Sequence, residues 1–295
     1  MMEPIRVIEL FAGIGAQHQA LKQANIPHDV VAISEIDPGA VRAYEAIHGK
    51  VNNLGDITKV EHLPDCDLLT YSFPCQDLSV AGKRKGMAKG SGTRSGLLWE
   101  VERLLADMRE RECLPNALLM ENVDAILFET NIRDFMKWVE RLSEMGYTSS
   151  YKVLDAADYG VPQRRNRCFM ISLLDGRHYT FPKGIPLQKR LKDVLENNVD
   201  ESYYLSDEQI SGYIAHDIRQ RRNGNGFRTR FVGVDDMCPT ITTNHRKNGP
   251  FLIVAGNLSI SAFESANRVY STNGICPTIT TKDNNNTVKI IEEYE

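Results

Sequence analysis

The sequence predicts an α/β fold, a Rossmann-like domain with a mostly parallel sheet over residues 1–185, followed by a smaller β-rich domain over residues 186–295. Three observations carry this. Short apolar runs that end in glycine, proline or an acid recur through the first part, and amphipathic helical periods lie between them. Beyond Pro186 that alternation stops, and the chain becomes polar, rich in asparagine and internally repeated. Alternating strands and helices require right-handed crossovers, which leave the carboxyl ends of the strands free for ligands.

The first strand is Ile5 to Leu10, and the turn Phe11-Ala-Gly-Ile-Gly-Ala16 after it opens a helix. Further strands are expected at Asp29 to Ser34, Asp67 to Ser72, Ala117 to Met120 and Cys168 to Leu174. Leu97, Leu98, Val101, Leu104, Leu105 and Met108 mark one face of a helix, and Ile132, Phe135, Met136, Val139 and Leu142 mark another. In the second part only Leu191 to Leu195 has the makings of a short helix. There Cys238-Pro-Thr-Ile-Thr-Thr243 recurs as Cys276-Pro-Thr-Ile-Thr-Thr281, a period of 38, with Arg230 and Arg268 each eight residues ahead. Two copies are too few for a solenoid and suggest two related β-rich units.

Composition excludes several classes. A chain of 295 residues, 42% hydrophobic and 25% charged, buries a full core without staples. No apolar run approaches the roughly 18 residues of a membrane span, and the glycine turn begins too early to leave room for a signal peptide. The six cysteines form no CxxC pair, so reduced thiols and a cytoplasmic, prokaryotic or phage setting near the nucleoid are expected. No metal site is expected. The net charge of −4 hides two basic segments. Gly82 to Gly96 holds Lys83, Arg84, Lys85, Lys89 and Arg94 with five glycines and no acid, and Ala215 to Pro250 holds seven Lys or Arg against three Asp. Such segments suit phosphate contact as well as a solvated surface.

The chemistry-bearing residues fall at strand ends. The glycine turn presents free N–H groups to a nucleotide-like ligand. It departs from the dinucleotide fingerprint, since His18 stands where GxGxxG has its third glycine. Glu35 lies 20 residues past Gly15, where an acid can accept ribose hydroxyls, and Asp56 is expected to follow the third strand. Ser72-Phe-Pro-Cys-Gln76 puts Cys75 at the sheet's carboxyl edge before the basic glycine-rich loop, conditions that favour a thiolate. Met120-Glu-Asn-Val123 brings Glu121 to the same edge as a proton donor, and Gln163, Arg164, Arg165 and Arg167 precede the last strand.

In this order the segments resemble the DNA cytosine-5 methyltransferases over residues 5 to about 175. The resemblance implies a Rossmann-like S-adenosylmethionine-dependent methyltransferase domain with a target-recognition domain after it. It assigns S-adenosylmethionine (product S-adenosylhomocysteine) to Phe11, Gly13, Gly15, Glu35, Ile36, Asp56, Ile57, Pro74 and Leu97. It implies Cys75 as nucleophile toward cytosine carbon 6, Glu121 as the group on ring nitrogen 3, and Gln163, Arg165 and Arg167 as residues that orient or support the base. Double-stranded DNA is the implied partner, its target base flipped out beneath the Gly82 to Gly96 loop. Lys83, Arg84, Lys85, Arg94, Arg228, Arg230 and Arg268 are its candidate contacts.

Family members finish with an asparagine-containing return segment and helix, whereas this sequence stops at Glu295 on a strand-like stretch, Thr287 to Glu295. Either a second subunit supplies that segment or the chain is an end-truncated enzyme, and weak cofactor binding by the isolated chain is expected. Two other readings share the pattern: an RNA cytosine-5 methyltransferase, and a DNA-binding subunit with vestigial motifs. A nicotinamide-dependent oxidoreductase is disfavoured by the missing third glycine and by the Pro-Cys-Gln segment.

Overall fold

The computed structural model describes residues 3–75, 95–195, 207–222, 230–233, 235–240, 251–254, 256–257 and 268–269. The chain forms two compact units: Met1–Leu154 with Asn166–Lys183, and Asp155–Arg165 with Gly184–Glu295.

The first unit is built on a six-stranded sheet. Its strands are β1 (Ile5–Leu10), β2 (His28–Ser34), β3 (Leu68–Tyr71), β4 (Ala117–Val123), β5 (Thr148–Asp155) and, after the short β6 (Gln163–Arg164), β7 (Asn166–Leu173). The order is β2-β1-β3-β4-β7-β5. β1 pairs in parallel with β2 and β3, β3 in parallel with β4, and β4 antiparallel with β7. The sheet is therefore mostly parallel, as the sequence predicts. From β1 the chain goes outward to β2 and then back across to β3, so the strand order reverses between β1 and β3. A crevice at their carboxyl ends is the place for a ligand in such sheets.

Helices α1 (Ala16–Gln23), α2 (Pro38–His48), α3 (Leu98–Glu110) and α4 (Ile132–Glu144) connect the strands. The spacing read from the sequence is the buried face of α3: Leu98, Val101, Leu104, Leu105 and Met108 are all fully buried. On α4, Phe135, Trp138 and Leu142 are buried, and Trp138 Nε1 donates to the buried Tyr71 hydroxyl at 3.0 Å. Met136, expected on that apolar face, is exposed. Trp138, which the sequence reading did not name, is buried on that face in place of Met136. α2 begins at Asp37, whose carboxylate accepts from the N–H groups of Gly39 and Ala40, with Pro38 supplying a helix-ready φ.

In the second unit, Gln163–Arg164 pairs in parallel with β9 (Cys238–Pro239), which belongs to the first copy of the repeat. Thr240 Oγ1 donates to the Arg164 carbonyl at 2.6 Å. Leu191–Val194 is a 3-10 turn, and α5 (Asp207–Arg222) is a helix that sequence reasoning missed. β8 (Arg230–Gly233) pairs with β10 (Phe251–Val254), and β11 (Gly256–Asn257) with β12 (Arg268–Val269). Cys276 to Thr281 and Thr287 to Glu295 lie outside the described residues.

Candidate active site

The glycine turn is held by a buried acid. Glu9 on β1 is fully buried, and its Oε1 accepts the His18 N–H at 2.8 Å while Oε2 accepts the Tyr44 hydroxyl at 2.6 Å. Gly15 precedes α1 without a side chain to cap it, so the Glu9 carboxylate serves the helix's first turn instead. Phe11, Gly13 and Gly15 all have positive φ, at 57°, 56° and 80°. A Cβ on Gly15 would lie 2.6 Å from His48 Nε2 and Tyr44 Cε2, whereas one on Gly13 would meet nothing within 4 Å. Only the second glycine is closed in by protein, and the first faces open space.

His18 and His48 stack at 4.3 Å behind this turn, with His18 Nδ1 on the Tyr44 hydroxyl and His48 Nε2 on the Ile14 carbonyl. Burial, then the charges of His48 and Lys22, lower the His18 imidazole to about 4, and burial also lowers His48. Unfolding returns both to the ordinary value near ~6.5, so below that pH the unfolded chain binds more protons. The stability tied to these rings is complete above about pH 6.5 and is lost as pH falls toward about 4. Burial raises the Glu9 carboxyl, which works the opposite way by favouring the folded state in acid. Between pH 7 and pH 5 the melting temperature is expected to fall further in the wild type than in His18→Gln. Equal falls would remove the histidine cluster as the cause.

Glu35 closes β2. Its Oε2 accepts the Gly13 N–H at 2.9 Å, and Oε1 accepts those of Ile36 and Asp37. Ile36 is 71% exposed beside it, an apolar side chain largely open to solvent. Asp56 precedes β3 instead of following it, and heads the turn Ile57–Lys59. Its Oδ1 accepts both the N–H and the hydroxyl of Thr58, bonds that lower its pKa and favour the ionised form. Ile57 is buried in the core, and its carbonyl accepts from the Arg103 guanidinium at 3.1 Å.

Cys75 ends the segment that follows β3 and is half-buried. The loop ahead of it is pinned at successive residues. The Leu10 carbonyl accepts the Ser72 N–H, Asn122 Nδ2 donates to the Phe73 carbonyl at 3.0 Å, and Ser95 Oγ donates to the Pro74 carbonyl at 2.8 Å. Asn122 and Ser95 are both buried, and Leu97 lies at the end of the turn that Ser95 begins. Cys66 and Cys168 differ in kind, since burial pushes their thiols up to about 12.

Glu121 stands one residue past Met120, the register partner of Tyr71 on β3, so the Cys75 loop and Glu121 leave neighbouring parallel strands at one edge. Arg167 on β7 reaches across to Glu121, Nε to Oε1 at 3.0 Å, with both side chains largely shielded. Gln163 and Arg165 belong to the second unit. There Asp155, which sequence reasoning missed, organises the segment: its Oδ1 accepts the Arg165 N–H and its Oδ2 the Arg164 guanidinium. Partial burial of Asp155 opposes its ionisation, and these donors outweigh that and lower its pKa. Gln76, Lys83, Arg84, Lys85, Arg94 and Arg228 lie outside the described residues. For Arg230 and Arg268 the structure gives the strand backbone alone.

Among the described residues no group of three His, Cys, Asp or Glu could hold a metal ion, and no helix is long and apolar enough to cross a membrane. Three solved or curated proteins are informative. The fold is similar to that of the S. pombe Dnmt2 methyltransferase, with a TM-score of 0.64 at 22% identity over 89% of this chain and 78% of that one. Type II methyltransferase M2.ScrFI of Lactococcus lactis subsp. cremoris is 36% identical over 263 residues, 70% of this chain and 72% of that protein. Orphan methyltransferase M.SssI of Spiroplasma monobiae is 37% identical over 262 residues, 68% and 67% of the two. The family described as C-5 cytosine-specific DNA methylase matches residues 5–295, so the ordered strand-end motifs and the sheet that carries them have one explanation. The chain belongs to that family and is a DNA (cytosine-5-)-methyltransferase.

Proposed function

We propose that Cys75 is the nucleophile of this reaction and that it acts on a cytosine turned out of duplex DNA. Carbon 5 of cytosine is a poor nucleophile. Addition of the Cys75 thiolate to carbon 6 moves an electron pair to carbon 5, which then attacks an electrophilic methyl group. Loss of the carbon 5 proton restores the double bond and expels the thiolate. The observation that carries this reading is the shared edge of β3 and β4, where the half-buried Cys75 and the Arg167-paired Glu121 leave register-matched strands.

Family membership implies S-adenosylmethionine, which when bound supplies the methyl group as a sulfonium and leaves as S-adenosylhomocysteine. The residues fit it. The open side of Gly13 leaves room over the turn, Glu35 stands at the turn for ribose hydroxyls, and the bare Ile36 offers a face to the adenine. Asp56 holds Thr58 with Oδ1, which leaves Oδ2 for an exocyclic amine. Phe11, Gly15, Ile57, Pro74 and Leu97 complete the assigned pocket on their motifs.

Glu121 is assigned to ring nitrogen 3 and the exocyclic amine, where its carboxyl proton passes to nitrogen 3 and neutralises the negative charge that develops as the sulfur adds. Arg167 fixes that carboxylate. Gln163 and Arg165 are assigned to the base on their motif alone. Lys83, Arg84, Lys85, Arg94, Arg228, Arg230 and Arg268 are assigned to DNA on their charge.

Glu121→Gln is expected to lower methyl transfer about a hundredfold while leaving cofactor affinity near that of the wild type. Filter assays with tritiated cofactor check the first and calorimetry the second. The function itself is tested by incubating duplex DNA with protein and S-adenosylmethionine and sequencing after bisulfite. Protected cytosines in one fixed sequence context support the reading. Label entering tRNA and not DNA would overturn it.

A further inference from the structure

Two of the elements described above touch through a pair that neither motif requires. Gln17 is the second residue of α1, two beyond Gly15, and its Nε2 donates to Ser72 Oγ at 3.0 Å, spanning 55 residues of sequence. The Ser72 peptide is already fixed by the Leu10 carbonyl, so the sheet gains nothing further from a side-chain bond at this point. What the bond does connect is the turn over which the methyl donor is assigned and the stretch after β3 that carries Cys75. It crosses between the ends of β1 and β3, the place where the strand order reverses.

We infer that Gln17 is a positioning residue that sets the distance between the cofactor turn and the Cys75 sulfur. Asn122 and Ser95 tie the same loop to β4 and to the segment before α3. The Gln17 side chain ties it to α1, on the cofactor side. Transfer of a methyl group needs the donor carbon and the base carbon aligned while sulfur is bonded one atom away. Small displacements of reacting groups lower rates out of proportion to their effect on binding. Gln17 touches neither substrate nor cofactor in this account and acts through Ser72.

The inference rests on Cys75 as nucleophile, and the experiment separates the two. Gln17→Leu, Ser72→Ala, the double variant and Ser72→Thr are compared in full-length protein. Tritium release from DNA carrying 5-tritiated cytosine is followed in single turnover at saturating S-adenosylmethionine. The first two variants are expected to slow release about tenfold, with cofactor dissociation constant and melting temperature unchanged. The double variant should be no slower than either single one, because one bond is lost in all three. Ser72→Thr, which keeps the hydroxyl, should restore most of the rate. Wild-type rates in Gln17→Leu, additive losses in the double variant, or a loss matched by weaker cofactor binding would overturn the inference and leave Cys75 as nucleophile untouched. A Cys75→Ser protein that released tritium as fast as wild type would overturn both.

Discussion

Cys75→Ser is expected to reduce methyl transfer to DNA by at least about a thousandfold, with cofactor binding and melting temperature close to those of the wild type. Oxygen for sulfur is a small change at a half-buried position, so folding has little reason to respond. The chemistry has every reason: a serine hydroxyl holds its proton far above the range of a thiol and adds poorly to the cytosine ring. The other described cysteines cannot take over. Cys66, Cys168 and Cys238 are buried, and Cys113 is raised by burial and by its bond to Asp65. Cys113→Ser should therefore be nearly silent in the same assay. If Cys75→Ser retained a tenth of the activity, covalent catalysis by this residue would be wrong.

The second large effect separates the two glycines of the turn. Gly15→Ala forces a methyl group to within 2.6 Å of His48 and Tyr44 at a φ of 80°, so both steric overlap and a left-handed backbone count against it. A left-handed alanine costs roughly 1–2 kcal/mol and overpacking about 1–3 kcal/mol more, enough to lower the melting temperature by several degrees and loosen α1. Gly13→Ala also carries the backbone cost but meets no protein atom within 4 Å. Its methyl group instead enters the space assigned to S-adenosylmethionine. Gly13→Ala is thus expected to weaken cofactor binding at least about tenfold with the smaller loss of stability, as roughly 1.4 kcal/mol of lost contact suffices. Thermal melts and calorimetric titration distinguish the pair. Normal cofactor affinity in Gly13→Ala would mean that the ligand lies elsewhere.

Much of the first unit was legible because its buried strands are short apolar runs that stop at a residue with chemistry. β1 and β3 give way to Phe11 and Ser72, boundaries readable from a glycine turn and a proline, whereas β4 runs three residues past the expected end at Met120, because Glu121 to Val123 pair with β7. β5 was not readable, since its residues alternate poorly and several are exposed, as expected near an edge. α2 carried a clear start signal in Asp37-Pro38 that periodicity alone did not use. α5 shows only Ile210, Ile214 and Ile218 at helical spacing amid charge, and Ile218 is 48% exposed.

In the site, the residues that perform chemistry were easier to find than those that hold them. Glu9 has no role in the sequence reading beyond its place in the first strand, yet it is fully buried, with Tyr44 and the His18 peptide reaching it from distant positions. Gln17, Ser95 and Asp155 belong to the same class. Their roles depend on partners that sequence spacing does not reveal, as with Asp155 and the two arginine residues it organises. Asn122 was noticed as part of a motif, and only the fold explains it, through its bond to the Phe73 carbonyl.

Mass spectrometry of the complex formed with a duplex carrying 5-fluoro-2′-deoxycytidine at the methylated position locates the covalent bond between enzyme and base. Fluorine cannot leave carbon 5 as a proton does, so the enzyme should stay attached to the methylated base. The expected result is a denaturation-resistant species, dependent on S-adenosylmethionine, in which the DNA is linked to the peptide containing Cys75. Attachment through another residue, or methylated product with no linked species at all, would contradict it.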